Sequence, residues 1–175
     1  KAQGFAPNTT VVFQVEKKKF VDVGGEQFEL GFVGEVLSCN SIALNELIHE
    51  HQVPVIAPIG VDNSGQFFNI NADDAALALC SALGVSVLIN VTNTPGLLAD
   101  SSDAASKIEK ISAKEAQEML AGSSISGGMI PKVQSCLKAI EAGVKSVHIV
   151  DGRISGALLK AFETPGLVGT TLISE

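Results

Sequence analysis

The chain has 175 residues, with 12 Lys or Arg and 19 Asp or Glu side chains, so its formal charge is −7. The stretch 20–106 contains neither Lys nor Arg. Proteins that bind nucleic acid or an anionic membrane surface need a basic patch that replaces the counterions, so the charge pattern excludes both classes of partner. An anionic ligand would have to be bound by backbone N–H groups or by one of the few cations outside this stretch.

Hydropathy and cysteine content indicate a globular chain in a reducing compartment. Hydrophobic residues make up 46% of the sequence, which is enough for a core. No apolar run reaches the length of a membrane span, and the first residues do not resemble a secretory signal. The three cysteines, Cys39, Cys80 and Cys136, are odd in number and far apart, which predicts reduced thiols. We therefore expect a single domain over residues 1–175, in the cytoplasm or in an organelle matrix.

In the first half, apolar patterns and turn residues predict alternating strands and helices. The predicted strands are Thr9–Val15, Phe20–Val23, Val53–Ile59 and Gln66–Ile70, with an irregular strand or loop at Leu30–Leu37. The predicted helices run from a cap at Asn40 or Ser41 to about Glu50, and over Asp73–Leu83. The run VPVIAPI at 53–59 is apolar on both faces, which is typical of a buried parallel strand.

The second half continues the alternation. The predicted strands are Ser86–Val91, Lys107–Ile111, Lys145–Val150 and Gly169–Ile173, and the predicted helices are Ser112–Gly122, Met129–Ala142 and Ile154–Phe162. Ser112 with Glu115 three residues later forms the pattern of a capping box. This order of elements predicts an α/β fold with a mainly parallel sheet.

Loops that follow the predicted strands are where such sheets bind ligands. The loop SSISGGMIPK at 123–132 is the strongest candidate, because Gly127 and Gly128 open a helix and Lys132 lies four residues later. Helix N-terminal N–H groups can bind phosphate, and a lysine one turn on adds a full charge. The spacing is not that of the P-loop G-x-x-x-x-G-K-S/T. A simple helix start with a surface lysine fits the spacing equally well.

A second polar cluster precedes the helix predicted over 73–83. Asn69, Asn71, Asp73 and Asp74 crowd this helix start, although one side chain suffices for a cap. The surplus carboxylates could hold Lys132 in place or bind a metal ion. Spacing alone favours capping, and it gives no confident protein ligand for a metal. Candidate loops also lie at 91–97 and 151–156, and His148 stands in an apolar strand, which is typical of a core histidine.

Five stretches carry a resemblance to a known family. They are LGFVGEV at 30–36, VPVIAPIGVD at 53–62, FNINADDAALAL at 68–79, ISGGMIPKV at 125–133 and GVKSVHIVDGR at 143–153. Together they resemble the N-acetylglutamate kinases of the amino acid kinase family, collinearly over about residues 28–173. The resemblance implies a three-layer α/β sandwich. It also implies ATP- and Mg²⁺-dependent phosphorylation of the side-chain carboxylate of N-acetyl-L-glutamate, an acyl phosphate-forming step of arginine biosynthesis.

The resemblance assigns roles to the candidate loops. Lys132 would stabilise the transferring phosphoryl group, and Asp73 would orient the catalytic lysines. Asn69 and Asn71 would contact the acylated amino acid. The ATP-binding residues would be Thr92, Asn93, Gly96, Leu97, Gly127, Gly128 and Met129.

The chain also departs from the family pattern. Family members carry a further N-terminal lobe with a glycine-rich phosphate loop, a second lysine and a substrate arginine, none of which occurs here. We therefore expect residues 1–175 to be the nucleotide-binding lobe, which works with the absent lobe or in a homo-oligomer. Asn93 stands where the family usually has Asp. His148 matches part of the sensor of arginine-inhibited members, but Ala161 stands where an acid is expected, so arginine inhibition is not predicted.

Two alternative functions fit the same sequence. One is a non-catalytic nucleotide-binding or regulatory subunit, which the absent lobe and Asn93 favour. The other is a kinase for a related acylated amino acid, such as carrier-bound aminoadipate, because the absent lobe would hold most of the selective side chains.

Overall fold

A computed structural model describes residues 1–5, 10–23, 26–100, 102–122, 124–125 and 127–174. Contacts between Cα atoms divide the chain into an N-terminal unit, Lys1–Leu83, and a C-terminal unit, Gly84–Glu175. The single domain expected over 1–175 stays a prediction. The predicted α/β class is confirmed, since both units combine β-strands with α-helices.

The N-terminal unit contains eight strands and two helices among its described residues. They are β1 Ala2–Phe5, β2 Phe13–Lys17, β3 Phe20–Val23, β4 Glu26–Glu29, β5 Gly34–Cys39, α1 Ser41–His49, β6 Val53–Ile56, β7 Ile59–Val61, β8 Phe67–Asn69 and α2 Ala72–Leu83. One sheet has the order β5-β2-β7-β8, while β1 pairs with β6 and β3 pairs with β4. Phe13, Leu44 and Ile70 form part of the core of this unit. Residues 24 and 25, between β3 and β4, lie outside the described residues.

The prediction of one buried strand over 53–59 is wrong. The run divides into β6 and β7, which belong to different sheets. Pro58 lies between them and lacks the N–H that a continuous ladder requires. Val53 and Val55 of β6 are 61% and 56% exposed, and among the described strands β6 pairs only with β1. Parallel pairing of β6 is nevertheless observed.

The C-terminal unit is a four-stranded sheet with three α-helices and one short 3-10 helix, Ala104–Ser106, among the described residues. Its elements are β9 Val87–Thr92, β10 Lys110–Ser112, α3 Ala113–Ala121, α4 Met129–Glu141, β11 Ser146–Asp151, α5 Ala157–Glu163 and β12 Gly169–Ile173. The strand order is β10-β12-β11-β9. The pairs β9–β11 and β10–β12 are parallel, and β11–β12 is antiparallel. Two of the three neighbouring pairs in this sheet are therefore parallel.

Local capping determines several element boundaries in this unit. The Ser112 hydroxyl accepts a bond from Glu115 N while the Glu115 carboxylate accepts one from Ser112 N, so the predicted capping box is confirmed. Helix α5 begins at Ala157, three residues later than predicted, because Gly156 precedes it in a left-handed conformation with φ 71°. Among the described residues, no helix is both long and apolar enough to cross a bilayer.

The sheet of the C-terminal unit places two loops side by side. Strands β9 and β11 run parallel, and their last residues, Thr92 and Asp151, are in register. The chain leaves both strands at the same edge, which is the edge where α/β sheets bind ligands. The loops at 92–97 and 151–156 therefore lie where the sequence analysis predicted candidate ligand loops.

Candidate functional site

A cavity of about 130 Å³ lies within the C-terminal unit. Gly96, Leu97 and Leu98 line one side, and Ser124, Ile125 and Met129 contribute to the rest of its wall. Three of the residues predicted to bind ATP, Gly96, Leu97 and Met129, are therefore brought together. The lining is mostly apolar, which suits the flat face of a nucleobase.

The turn at 92–97 has a conformation that requires glycine. Gly96 has φ 120°, a value that L side chains rarely adopt. A Cβ at this position would lie 2.6 Å from Thr170 Oγ1, so the turn also packs directly on β12. Thr92 and Asn93 are not among the lining residues of the cavity. Thr92 Oγ1 instead accepts a hydrogen bond from Thr94 N, at 3.3 Å, within the same turn.

Two glycines form the start of α4. Gly127 has φ 57°, and Gly128 occupies the N-cap position, where it has no side chain to cap the helix. First-turn N–H groups lack intrahelical partners and suit an anion. Lys132 follows within α4 and is half-buried. These residues keep the arrangement that the sequence predicted for a phosphate site, although their roles stay predictions.

The polar cluster before α2 is partly explained by capping. Asn71 Oδ1 accepts hydrogen bonds from Asp73 N at 2.9 Å and from Asp74 N at 3.2 Å. The interpretation of this segment as a helix cap is therefore confirmed for Asn71. Neither carboxylate is needed for this cap, and Asp73 is half-buried while Asp74 is exposed. The predicted interaction between Asp73 and Lys132 stays a prediction.

Asn69 ends β8 beside the segment that precedes β5. Its N–H donates to Phe32 O at 2.9 Å, and it forms a parallel bridge with Val33. The segment predicted as an irregular strand or loop over 30–37 is thus a loop up to Val33 and strand β5 from Gly34. Among the described residues, no group of three or more His, Cys, Asp and Glu side chains could hold a metal ion.

The Asp151–Arg153 turn contains functional candidates to which the sequence analysis gave no role. The Arg153 Nε and Nη2 atoms donate to the Asp151 carboxylate at 2.8 and 2.7 Å. These bonds, together with one from Arg153 N, lower the pKa of Asp151 to about 2. Gly152 N donates to Thr92 O at 2.8 Å, so this turn supports the start of the 92–97 turn. An acid at the end of a buried strand, two residues before an arginine, is the sequence signal that indicates it.

The low pKa of Asp151 leads to a testable pH dependence. A carboxylate whose pKa falls from about 3.9 in the unfolded chain to about 2 on folding stabilises the folded state above about pH 4. This stabilisation is lost as the pH falls from 4 towards 2. We expect the urea midpoint to fall more steeply between pH 5 and pH 3 in the wild type than in Arg153→Ala. Equal slopes for the two proteins would contradict the role of Arg153.

His148 lies next to a second cavity of about 430 Å³ in the C-terminal unit. Its Nδ1 is 2.9 Å from Thr171 Oγ1 and its Nε2 is 3.3 Å from Ser146 Oγ. Burial lowers the pKa of this imidazole. The interpretation of His148 as a buried residue with its polar atoms bonded is confirmed, while a regulatory role stays a prediction. Ala161 and Lys110 line the cavity, and no carboxylate is among its described lining residues.

Comparisons with known proteins agree with the family resemblance found in the sequence. A sequence profile of the amino acid kinase family matches residues 2–151. The chain is 41% identical to the acetylglutamate kinase of Carboxydothermus hydrogenoformans, over 98% of this chain and 60% of that protein. It is 43% identical to the acetylglutamate kinase of Symbiobacterium thermophilum, over 85% of this chain and 51% of that protein. The chain thus spans about half to three fifths of the length of these curated relatives.

A solved structure shows the same fold at lower sequence identity. The N-acetylglutamate synthase from Neisseria gonorrhoeae, complexed with coenzyme A and N-acetyl-glutamate, superposes with a TM-score of 0.82. The match covers 95% of this chain and 37% of that chain, at 22% identity. The family profile spans most of the sequence, including both the 68–79 cluster and the 123–132 loop. The chain belongs to the amino acid kinase family.

Proposed function

We propose that the protein containing this chain transfers the γ-phosphoryl group of ATP to the side-chain carboxylate of N-acetyl-L-glutamate, and that this chain supplies its nucleotide-binding part. The cavity between the Gly96–Leu98 segment and Met129 carries the proposal. Its lining includes Gly96, Leu97 and Met129, to which the family resemblance assigns nucleotide contacts. Relatives about 40% identical to the chain are named acetylglutamate kinase, which supports the choice of acceptor.

The chemistry fits the few charged groups of the candidate site. A carboxylate acceptor is already ionised near neutral pH, so its attack on phosphorus needs no strong general base. Catalysis requires alignment of two anions and cations that screen their charge. Lys132, one turn into α4, would be the cation of this chain at the phosphates, and Mg²⁺ would arrive on the phosphate oxygens of ATP. Asp73 would hold catalytic lysines in position.

The amides Asn69 and Asn71 would bind the acylated amino acid. Asn69 is exposed at the end of β8. The Asn71 oxygen already accepts two bonds from the start of α2. Its side-chain NH₂ is therefore the group that would donate to an oxygen of the substrate. Thr92 and Asn93, at the start of the turn, would support the nucleotide from outside the cavity.

The proposal is tested by trapping the product. The full protein is incubated with ATP, Mg²⁺, N-acetyl-L-glutamate and hydroxylamine, which converts an acyl phosphate to a coloured hydroxamate. We expect hydroxamate that depends on both substrates, and none from this chain alone, because it spans only about half to three fifths of its relatives. Absence of hydroxamate with the full protein would contradict the proposed reaction.

A non-catalytic nucleotide-binding subunit is the second candidate. Asn93 in the nucleotide turn favours it. ATP binding by calorimetry, without hydroxamate in the presence of the partner chains, would support this candidate. Hydroxamate formed from an aminoadipate derivative, but not from N-acetylglutamate, would instead support a kinase for a related acylated amino acid.

The proposed setting follows from the same assignment. The chain would act with the family's N-terminal lobe or in a homo-oligomer, in the cytoplasm or an organelle matrix. Nucleic acid and membranes are not among the proposed partners, since residues 20–106 carry no Lys or Arg.

A further inference from the structure

Thr170 of β12 is a buried threonine that joins both ends of a long loop. Thr170 as a whole residue is only 1% exposed. The Oγ1 atom accepts a hydrogen bond from Leu97 N at 2.8 Å and donates one to Ile108 O at 2.6 Å. Ile108 N in turn donates to Leu97 O at 2.8 Å. One hydroxyl therefore links the cavity-lining residue Leu97, the far end of its loop, and the sheet.

The surrounding backbone leaves little freedom at this contact. A Cβ added to Gly96 would lie 3.0 Å from Gly169 C, in addition to its clash with the threonine oxygen. The segment that leads into β12 is also held, because Lys107 Nζ donates to Gly166 O at 2.9 Å and to Leu167 O at 2.8 Å. The backbone of Leu97, in the cavity wall, is thus hydrogen-bonded to β12 through the side chain of Thr170.

We propose that Thr170 is a positioning residue for the nucleotide cavity. It does not line the cavity, and it acts through Leu97, whose amide it holds in place. The inference rests on the proposed function, since it assigns the cavity to ATP. Without the hydroxyl, the Leu97 amide and the Ile108 carbonyl would have to find other partners, and buried polar groups without partners are costly. The Gly96–Leu98 wall would shift, and nucleotide binding would have to restore it.

The test compares Thr170→Val, which keeps the side-chain shape, with Thr170→Ser, which keeps the hydroxyl. In the full protein, we expect the valine variant to raise the Kd for ATP by about tenfold, because ATP would have to order the Gly96–Leu98 wall without the hydrogen bond to Leu97 N. The KM for ATP should rise with it while kcat changes little. The serine variant should restore a near wild-type Kd. A Kd for Thr170→Ser as weak as that for Thr170→Val would overturn the proposal.

Thr171→Val is the matched control. Thr171 is the next residue of the same strand, is 4% exposed, and bonds to His148 Nδ1 instead of the loop. Its loss should lower thermal stability without the tenfold change in the Kd for ATP. The same increase in Kd for Thr171→Val and Thr170→Val would show a general loss of stability and overturn the positioning role.

Amide exchange separates failure of this inference from failure of the proposed function. Hydrogen exchange at the Leu97 amide needs no ligand, and it should be faster in Thr170→Val than in the wild type and in Thr171→Val. Unchanged exchange at Leu97 would overturn the positioning role whatever the ligand is. A wild-type protein that shows no ATP binding by calorimetry would instead overturn the proposed function.

Discussion

Replacing Lys132 with alanine should lower the rate of acyl phosphate formation in the full protein by about 10³-fold. Lys132 lies in α4 four residues after Gly128, the N-cap residue of that helix. A full positive charge at this point would stabilise the negative charge that moves from the γ-phosphate to the β-phosphate oxygen in the transition state. ATP should still bind, because the Gly96–Leu98 wall and Met129 would be intact. The hydroxamate assay gives the rate, and calorimetry gives the Kd for ATP.

Two variants make the Lys132 result specific. Lys138→Ala removes an exposed lysine from the same helix, and its kcat should stay within twofold of wild type. Lys132→Arg keeps the charge and should recover part of the lost rate, although the guanidinium cannot reproduce the geometry of an ammonium group. Near-normal turnover in Lys132→Ala would exclude the catalytic role. A rate loss matched by an equal loss of ATP affinity would indicate a binding role instead.

Sequence predicted those elements whose boundaries are determined by local chemistry. Strand β12 occupies the predicted range Gly169–Ile173, and α3 begins at the predicted capping box. The capping box depends on two residues only three positions apart. The run at 53–59 does not form the predicted strand, because burial of a strand depends on which strands flank it. Apolar composition alone does not contain that information, and Pro58 separates β6 from β7.

In the candidate site, too, contacts between nearby residues could be predicted from the sequence and contacts between distant residues could not. Asn71 could be identified as a cap because its partners are close in sequence. The N–H groups that donate to its side chain belong to Asp73 and Asp74, two and three residues later. The family resemblance grouped Gly96, Leu97 and Met129, which line one cavity. The Leu97–Thr170 hydrogen bond joins residues 73 positions apart, so no spacing rule could find it. The Asp151–Arg153 pair is local, so its opposite charges two positions apart are visible in the sequence.

Replacing Gly169 with alanine should destabilise the C-terminal unit by on the order of 3 kcal/mol. Gly169 is the first residue of β12 and pairs with Val150 of β11. An added Cβ would overlap Ile149 O, and it would lie 2.8 Å from Ile149 C and 2.9 Å from Val150 Cα. All three atoms belong to the backbone of a buried strand, so no side-chain rotation can relieve the clash. Strands β11 and β12 would have to separate, with loss of packing around Leu172 and Val147.

Thermal unfolding of Gly169→Ala measures this effect, and Gly4→Ala provides the control. Gly4 also lies in a strand, but an added Cβ would meet nothing within 4 Å and its φ is not positive. We expect its unfolding free energy to change by less than about 0.5 kcal/mol. Gly169 also adjoins Thr170, whose hydroxyl accepts a hydrogen bond from Leu97 N. Displacement of β12 would move this hydroxyl, so Gly169→Ala should weaken ATP binding even below its unfolding temperature. Equal stability of the two alanine variants would contradict this prediction, because it would show that β12 can move away from β11 at little cost.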